Sequence, residues 1–214
     1  MAPTCIVCGS ASVRHWQHAG DRDYYRCKDC LATMLNPTQR LAPADELAQY
    51  LNHQNDPADP GYRGFLARLA TPLLERLPPR QQGLDYGCGP GPALAAMLRQ
   101  AGHQVELYDP FFFTDPAPLT RTYDFITCTE VIEHFHEPAA EFARFQTLLR
   151  PGGWLALMTR FLADDVDFAN WHYRRDPTHV VFYREETLQQ VARIQGWSCE
   201  VVAPDVVLMR KPPG

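Results

Sequence analysis

At 214 residues with 45% apolar side chains, the chain can bury the core of one ordinary α/β domain and carry a small extra module. Its net charge of −5, two lysines among 20 basic residues and lack of any basic run weigh against a broad electrostatic nucleic-acid surface. No apolar run reaches membrane-spanning length and the N-terminus lacks a signal-peptide pattern, so a cytoplasmic, reducing location is expected.

Cys5, Cys8, Cys27 and Cys30 form C-x2-C-x18-C-x2-C. This spacing suits a four-thiolate metal site, with Zn2+ the expected ion and iron left open. A redox dithiol and a disulfide pair are the competing readings. Gly9 after Cys8 fits a tight knuckle turn, and the segment between the pairs is expected to form a hairpin with His15 and His18 on its surface. Residues 1–40 therefore read as a zinc-ribbon-like module. Residues 41–61, with a short helix near Asp45–Leu51 and breakers at Asn55-Asp56-Pro57 and Asp59-Pro60-Gly61, read as a linker. Residues 62–214 form the main domain.

Tyr62, Phe65, Leu66, Leu69, Leu73, Leu74 and Leu77 recur at helical steps, with Pro72 a kink or break. Strands are expected near 83–87, 104–108, 124–128 and 154–159, the last entered by a turn at Pro151-Gly152-Gly153. Helices are expected after the first strand, from about Pro138 to Leu149, and from Glu185 to Ile194 with Gly196 as its stop. Two short strands, near 198–203 and 205–210, close the chain. This order implies an α/β, doubly wound, mostly parallel sheet with an antiparallel edge. Cys88, Cys128 and Cys199 sit in or beside apolar strands and read as small buried thiols.

Leu84-Asp85-Tyr86-Gly87-Cys88-Gly89-Pro90-Gly91 reads as strand, glycine turn and helix start, and Asp109 follows at the tip of the next strand. A glycine turn lets backbone approach a nucleoside, and a carboxylate there accepts hydrogen bonds from ribose hydroxyls. The glycines at 87, 89 and 91 fall as GxGxG, unlike the GxGxxG of dinucleotide sites.

LDYGCGPG, ELYDP, YDFITCTEVIEH and LLRPGGWLALMT resemble, in order, successive motifs of class I S-adenosylmethionine (SAM) methyltransferases, over roughly residues 60–214. The resemblance implies a Rossmann-like fold and SAM as cofactor. Gly87, Gly89, Gly91, Asp85 and Asp109 are implied to bind it. Tyr62 either lies over SAM or begins the apolar face of its helix, and Thr129 and Glu130 border the cofactor. Tyr123 follows Asp109 by 14 positions, too few for the usual intervening helix and strand, so the chain resembles a shortened subgroup. The usual acidic adenine contact has no counterpart. Phe111-Phe112-Phe113 either form an adenine wall or plug the core.

Glu130-Val131-Ile132-Glu133-His134 gives ExxEH beside the expected cofactor, and His179 follows the fourth strand. The set is similar to the metal site of small-RNA 3′-terminal 2′-O-methyltransferases and to the EVxEH of ubiquinone-pathway O-methyltransferases. That similarity implies a second divalent ion at Glu130, Glu133, His134 and His179. The other reading has no metal, with Glu130 against SAM and His134 capping a helix or acting as base. Glu133, His134 and His179 are the catalytic candidates. Trp171-His172-Tyr173-Arg174-Arg175-Asp176 either grips a planar or anionic acceptor or fills the sheet edge.

The reading favoured is methyl transfer to a small molecule at oxygen, nitrogen or activated carbon. An RNA-modifying enzyme docking through its ribbon, and a non-catalytic SAM-binding scaffold, are the alternatives.

Overall fold

The computed structural model describes residues 4–52, 56–164 and 166–214, which leaves Asn55 of the expected breaker outside the described residues. The N-terminal hairpin comprises β1 (Val13–Ala19) and β2 (Arg22–Cys27), turned at Gly20 (φ +66°). Its open end carries the two knuckles, and Gly9 adopts φ +76°, as the first knuckle turn requires. The four cysteine sulfurs lie within 4.8 Å of one another, with Cys5 Sγ 3.6 Å from Cys30 Sγ and Cys8 Sγ 3.7 Å from Cys27 Sγ. A tetrahedral ion with thiolate bonds of about 2.3 Å sets its sulfurs about 3.8 Å apart, so this arrangement fits one metal ion. His15 and His18 stay on the exposed hairpin surface, both bonded to Asp23.

The ribbon continues into the rest of the chain. β3 (Thr33–Leu35) pairs with β2 on one side and on the other with β8 (Val181–Phe182), a short strand that sequence reasoning missed. Arg22 donates to Pro177 O, and Arg174 donates to Ala19 O and to the Tyr24 hydroxyl. Tyr24 and Trp16 pack edge-on against Phe168, each at 4.8 Å. The ribbon therefore braces the segment between residues 168 and 182, which holds the one-turn helix α5 (His172–Arg175).

The region expected as a linker contains α1 (Pro43–Tyr50), and Glu46 on it is buried. α2 (Pro60–Leu74) starts on an Asp59 cap whose carboxylate accepts from the Gly61 and Tyr62 amides, with Pro60 at a first-turn position. It passes through Pro72 and stops short of the apolar residue Leu77.

The main sheet has the order β5-β4-β6-β7-β10-β9. β4 (Gln82–Tyr86), β5 (Gln104–Tyr108), β6 (Tyr123–Thr129) and β7 (Leu149–Met158) are parallel. β10 (Val206–Arg210) runs antiparallel to β7, and β9 (Ser198–Ala203) antiparallel to β10. β7 begins at Leu149, earlier than the expected turn. Leu149 pairs with Tyr123 and Trp154 with Phe125, so Arg150 to Gly153 form a bulge inside the strand, with Gly152 at φ +78°.

α2 and α3 (Ala93–Gln100) cover one face, packing Leu66, Leu69, Leu94 and Leu98 onto Phe125 and Met158. α4 (Pro138–Leu148) and α6 (Glu185–Gln195) contribute Phe142, Phe145, Leu188 and Val191 to the other core. Gly196 stops α6 in the left-handed region, as expected. Only a 3-10 turn, Ala117–Thr120, separates β5 from β6, so β5 is the sheet edge. The helix and strand usual at this point are missing, as the short spacing predicts. Among the described residues, no helix is long and apolar enough to cross a membrane.

Candidate active site

One cavity of about 780 Å³ opens over the C-terminal ends of β4, β5 and β6. Ligand sites in open α/β sheets belong at these strand ends. Asp85, Gly87, Cys88 and Gly89 line one part of it, with Tyr62 and Phe65 of α2 beside them. Gly87 has φ +74°, and a Cβ there would stand 2.5 Å from Val131 Cγ2. No larger residue fits without displacing Val131. Gly91 does not line the cavity; its carbonyl accepts from the Ala93 amide at the entry to α3.

Asp85 is fully buried and accepts from Thr127 Oγ1 at 2.8 Å. Burial pushes its carboxyl up to about 6, against the opposing pull of the Thr127 hydroxyl. Asp109 accepts from the Gly89 amide at 2.9 Å and from the Phe111 and Phe112 amides at 2.8 and 3.1 Å. The carboxylate thus ties the glycine turn to the next loop and lines the cavity. Phe111 and Phe112 also line it; Phe113 instead exchanges backbone bonds with Asp109.

Glu130 follows β6 in the left-handed region, at φ +54°, a strained position for a non-glycine residue. Its Oε1 and Thr129 Oγ1 are buried without a hydrogen-bond partner. Glu133 is wholly buried; Oε1 accepts from the Tyr173 hydroxyl at 2.5 Å and Oε2 from Thr159 Oγ1 at 3.0 Å. Burial drives both carboxyls upward, and the Glu130 charge adds to the rise at Glu133.

His134 lies in a 3-10 turn, Ile132–His134, and its Nδ1 meets Thr178 O at 3.2 Å. His179 Nδ1 meets Tyr173 O at 2.7 Å, and the two imidazoles are 4.6 Å apart. Glu133, His134 and His179 each offer a ligand atom within 4.8 Å of the others. Glu130 is not part of that cluster, so the expected four-residue metal set reduces to three. Backbone carbonyls on Nδ1 are the partners that fix a ligating imidazole, so the donors fit a divalent ion.

Sequence reasoning missed Glu46, Tyr50 and His136. All three line the cavity, and His136 Nε2 lies 2.8 Å from Glu46 Oε1. Tyr50 stands edge-on to His134 at 5.4 Å and 5.2 Å from Phe111. The Asp45–Leu51 pattern announces a helix but not which site it covers. Of the segment 171–176, His172, Tyr173 and Asp176 line the cavity while the two arginines do not. Arg174 serves the ribbon instead, which removes an arginine grip on the acceptor. Cys128 is buried as expected, whereas Cys88 and Cys199 are half-buried and Cys88 faces the cavity.

A glycine turn, an acidic residue at the next strand tip and this sheet order define a Rossmann-like class I nucleoside-binding fold. The family model described as "Methyltransferase domain" matches residues 58–202. The chain belongs to this family, the class I SAM-dependent methyltransferases. A ubiquinone biosynthesis O-methyltransferase of Paraburkholderia xenovorans (strain LB400) is 47% identical over 38 residues, 18% of this chain and 16% of that protein. The match therefore spans about a sixth of that curated relative. The structure of Burkholderia thailandensis 1,6-didemethyltoxoflavin-N1-methyltransferase, bound to 1,6-didemethyltoxoflavin and S-adenosylhomocysteine, aligns with TM-score 0.56 and 19% identity, over 93% of this chain and 99% of that one. Magnesium protoporphyrin IX methyltransferase of Synechocystis PCC 6803, with bound S-adenosylhomocysteine, aligns with TM-score 0.55 and 16% identity, over 79% of this chain and 94% of that one. At such identities the likeness is one of fold.

Proposed function

We propose that the protein transfers a methyl group from SAM to a small molecule, at oxygen, nitrogen or an activated carbon. The observation carrying this reading is a single cavity joining the Gly87–Gly89 turn and Asp109 to Glu133, His134 and His179. The site suits the cofactor: the buried, unpartnered Glu130 Oε1 and Thr129 Oγ1 would receive the donors of its amino-acid end. When bound, SAM supplies a sulfonium methyl, already a good electrophile, so alignment carries much of the catalysis. Gly87, Gly89 and Asp109 hold the nucleoside, and Tyr62 covers it. His134 and His179 take the proton from an acceptor hydroxyl or amine. Tyr50 and Tyr173 close the chamber against water.

Arg144 is the sole Lys or Arg among the described residues lining the cavity, which includes Glu46, Glu137, Glu141 and Asp176. Such a lining opposes a polyanion and favours a small acceptor over RNA. A partial match named for ubiquinone biosynthesis and a fold neighbour with bound 1,6-didemethyltoxoflavin agree with a small acceptor. We assign Zn2+ to Cys5, Cys8, Cys27 and Cys30, as a structural ion of the ribbon. The free thiols suit a reducing compartment, and we place the protein in the cytoplasm.

A second reading adds a catalytic divalent ion, favoured by the Glu133, His134 and His179 cluster. Such an ion would orient acceptor oxygens and favour an alkoxide.

The test is incubation with labelled SAM and fractionated small-molecule and RNA extracts. Label should enter a small-molecule fraction, and His134→Ala or His179→Ala should slow that transfer by roughly a hundredfold at unchanged S-adenosylhomocysteine affinity. Label found in RNA alone, or variants with unimpaired transfer, would overturn the assignment. For the second reading, chelation should stop turnover and Mn2+ or Mg2+ restore it while the ribbon keeps its ion. Chelator-resistant turnover contradicts the catalytic metal.

A further inference from the structure

The missing unit between β5 and β6 leaves α4 as the helix on one face of the β4–β5 edge, its Phe145 edge-on to Tyr86 at 4.9 Å. Tyr86 and Tyr108, paired in register on β4 and β5, occupy that face with ring centroids 5.1 Å apart. Phe135 stands edge-on to Tyr86 at 6.2 Å. The Tyr86 hydroxyl donates to Glu141 Oε2 at 2.6 Å, and Arg144 Nη1 donates to the same hydroxyl at 2.8 Å and to Oε2 at 3.1 Å. All these bonds converge on one edge of the cluster; Glu141 Oε1 and Arg144 Nη2 take part in none of them. Tyr86, Tyr108, Phe135, Glu141 and Arg144 line the same cavity as Asp109.

A nucleoside whose ribose meets Asp109 and whose tail runs toward Gly87 and Glu130 must send its base the opposite way. That direction leads past Tyr108, the residue before Asp109. We propose that the base of the bound nucleoside enters this aromatic slot and that Glu141 and Arg144 read its edge. The inference rests on the assignment of SAM as cofactor. Adenine presents an amine donor beside a ring-nitrogen acceptor. A carboxylate beside a guanidinium offers the matching acceptor and donor. Glu141 thereby takes the part of an acidic contact that the shortened chain cannot place after a strand it lacks. Hypoxanthine reverses both groups, with an oxygen where adenine has its amine and an N–H where adenine has its bare nitrogen.

The experiment is calorimetry with S-adenosylhomocysteine and S-inosylhomocysteine on the full zinc-loaded chain, with a thermal melt for each variant. The wild type should prefer the adenosyl ligand about tenfold or more, since a hydrogen-bonding site discriminates strongly against a ligand that leaves it unpaired. Glu141→Gln should weaken the adenosyl ligand about tenfold and bring the two ligands within about threefold of each other. Arg144→Met, on the exposed side of α4, removes the donor without disturbing the core. It should narrow the preference likewise, and it carries the test if Glu141→Gln melts early. Wild-type affinity and preference in folded Arg144→Met and Glu141→Gln would overturn the assignment of the edge. A folded wild type that binds neither ligand would overturn the cofactor assignment as well, and so is distinguishable from failure of this inference alone.

Discussion

Gly87→Ala tests the close approach on which the nucleoside site depends. The new Cβ would lie 2.5 and 2.6 Å from the two Val131 methyl carbons, at a backbone φ of +74°. The left-handed backbone costs a non-glycine residue about 1–2 kcal/mol, and the overpacking against Val131 about 1–3 kcal/mol. Gly102→Ala isolates the first cost, because Gly102 has φ +93° and a methyl group added there would meet nothing within 4 Å. For a chain of this size each kcal/mol lowers Tm by about 2–4 °C. Gly87→Ala should therefore lose roughly 4–20 °C, against about 2–8 °C for Gly102→Ala. S-adenosylhomocysteine affinity should fall at least tenfold in the first variant and stay unchanged in the second. The assays are differential scanning calorimetry and titration calorimetry. Equal losses of Tm and unaltered affinity in both variants would show that no ligand approaches the backbone at Gly87.

The raised Asp85 carboxyl makes stability depend on pH. Its folded value of about 6 exceeds the ordinary carboxyl value of 3.8, so the folded state holds the proton longer. The stabilising contribution is full below about pH 4 and is lost as pH rises through about 6, a change of about 3 kcal/mol. Asp85→Asn should flatten the stability profile between these pH values in urea titrations; an unchanged slope counts against the assignment. Tyr173→Phe removes the donor to a wholly buried Glu133 oxygen and should destabilise the protein by about 1–3 kcal/mol, read from the urea midpoint. Cys27→Ser should lower the zinc content measured by plasma mass spectrometry. It should also raise hydrogen exchange in residues 168–182, because β3 and Arg22 brace that segment, whereas the β4–α3 peptide keeps its protection.

Much of this architecture is legible in local chemistry. The knuckle spacing gives the cysteine cluster, the period of α2 its buried face, and Gly196 the stop of α6. The short gap after Asp109 gives the sheet edge. Other features come from tertiary contact and leave no local mark. β8 has two residues and exists because β3 offers an edge to it. The bulge at Arg150–Gly153 looks like a turn because its glycines and proline are turn residues, while the pairing on either side keeps it in the strand. The site divides in the same way. The glycine turn, Asp109 and ExxEH announce themselves by spacing. Glu46, Tyr50 and His136 do not, because a helix between two modules carries no local sign of where it packs. Glu141 and Arg144 form an i,i+3 ion pair on α4, and only the folded chain brings that pair to the cavity.

The proposed activity depends on the turn at Gly87–Gly89 and the Asp109 carboxylate together holding S-adenosylmethionine. Titration calorimetry of the folded, zinc-loaded chain with S-adenosylhomocysteine measures that binding. One ligand per chain is predicted, with Asp109→Ala weakening it at least tenfold. An absence of binding heat across temperatures, with the melt unmoved by the ligand, contradicts the claim.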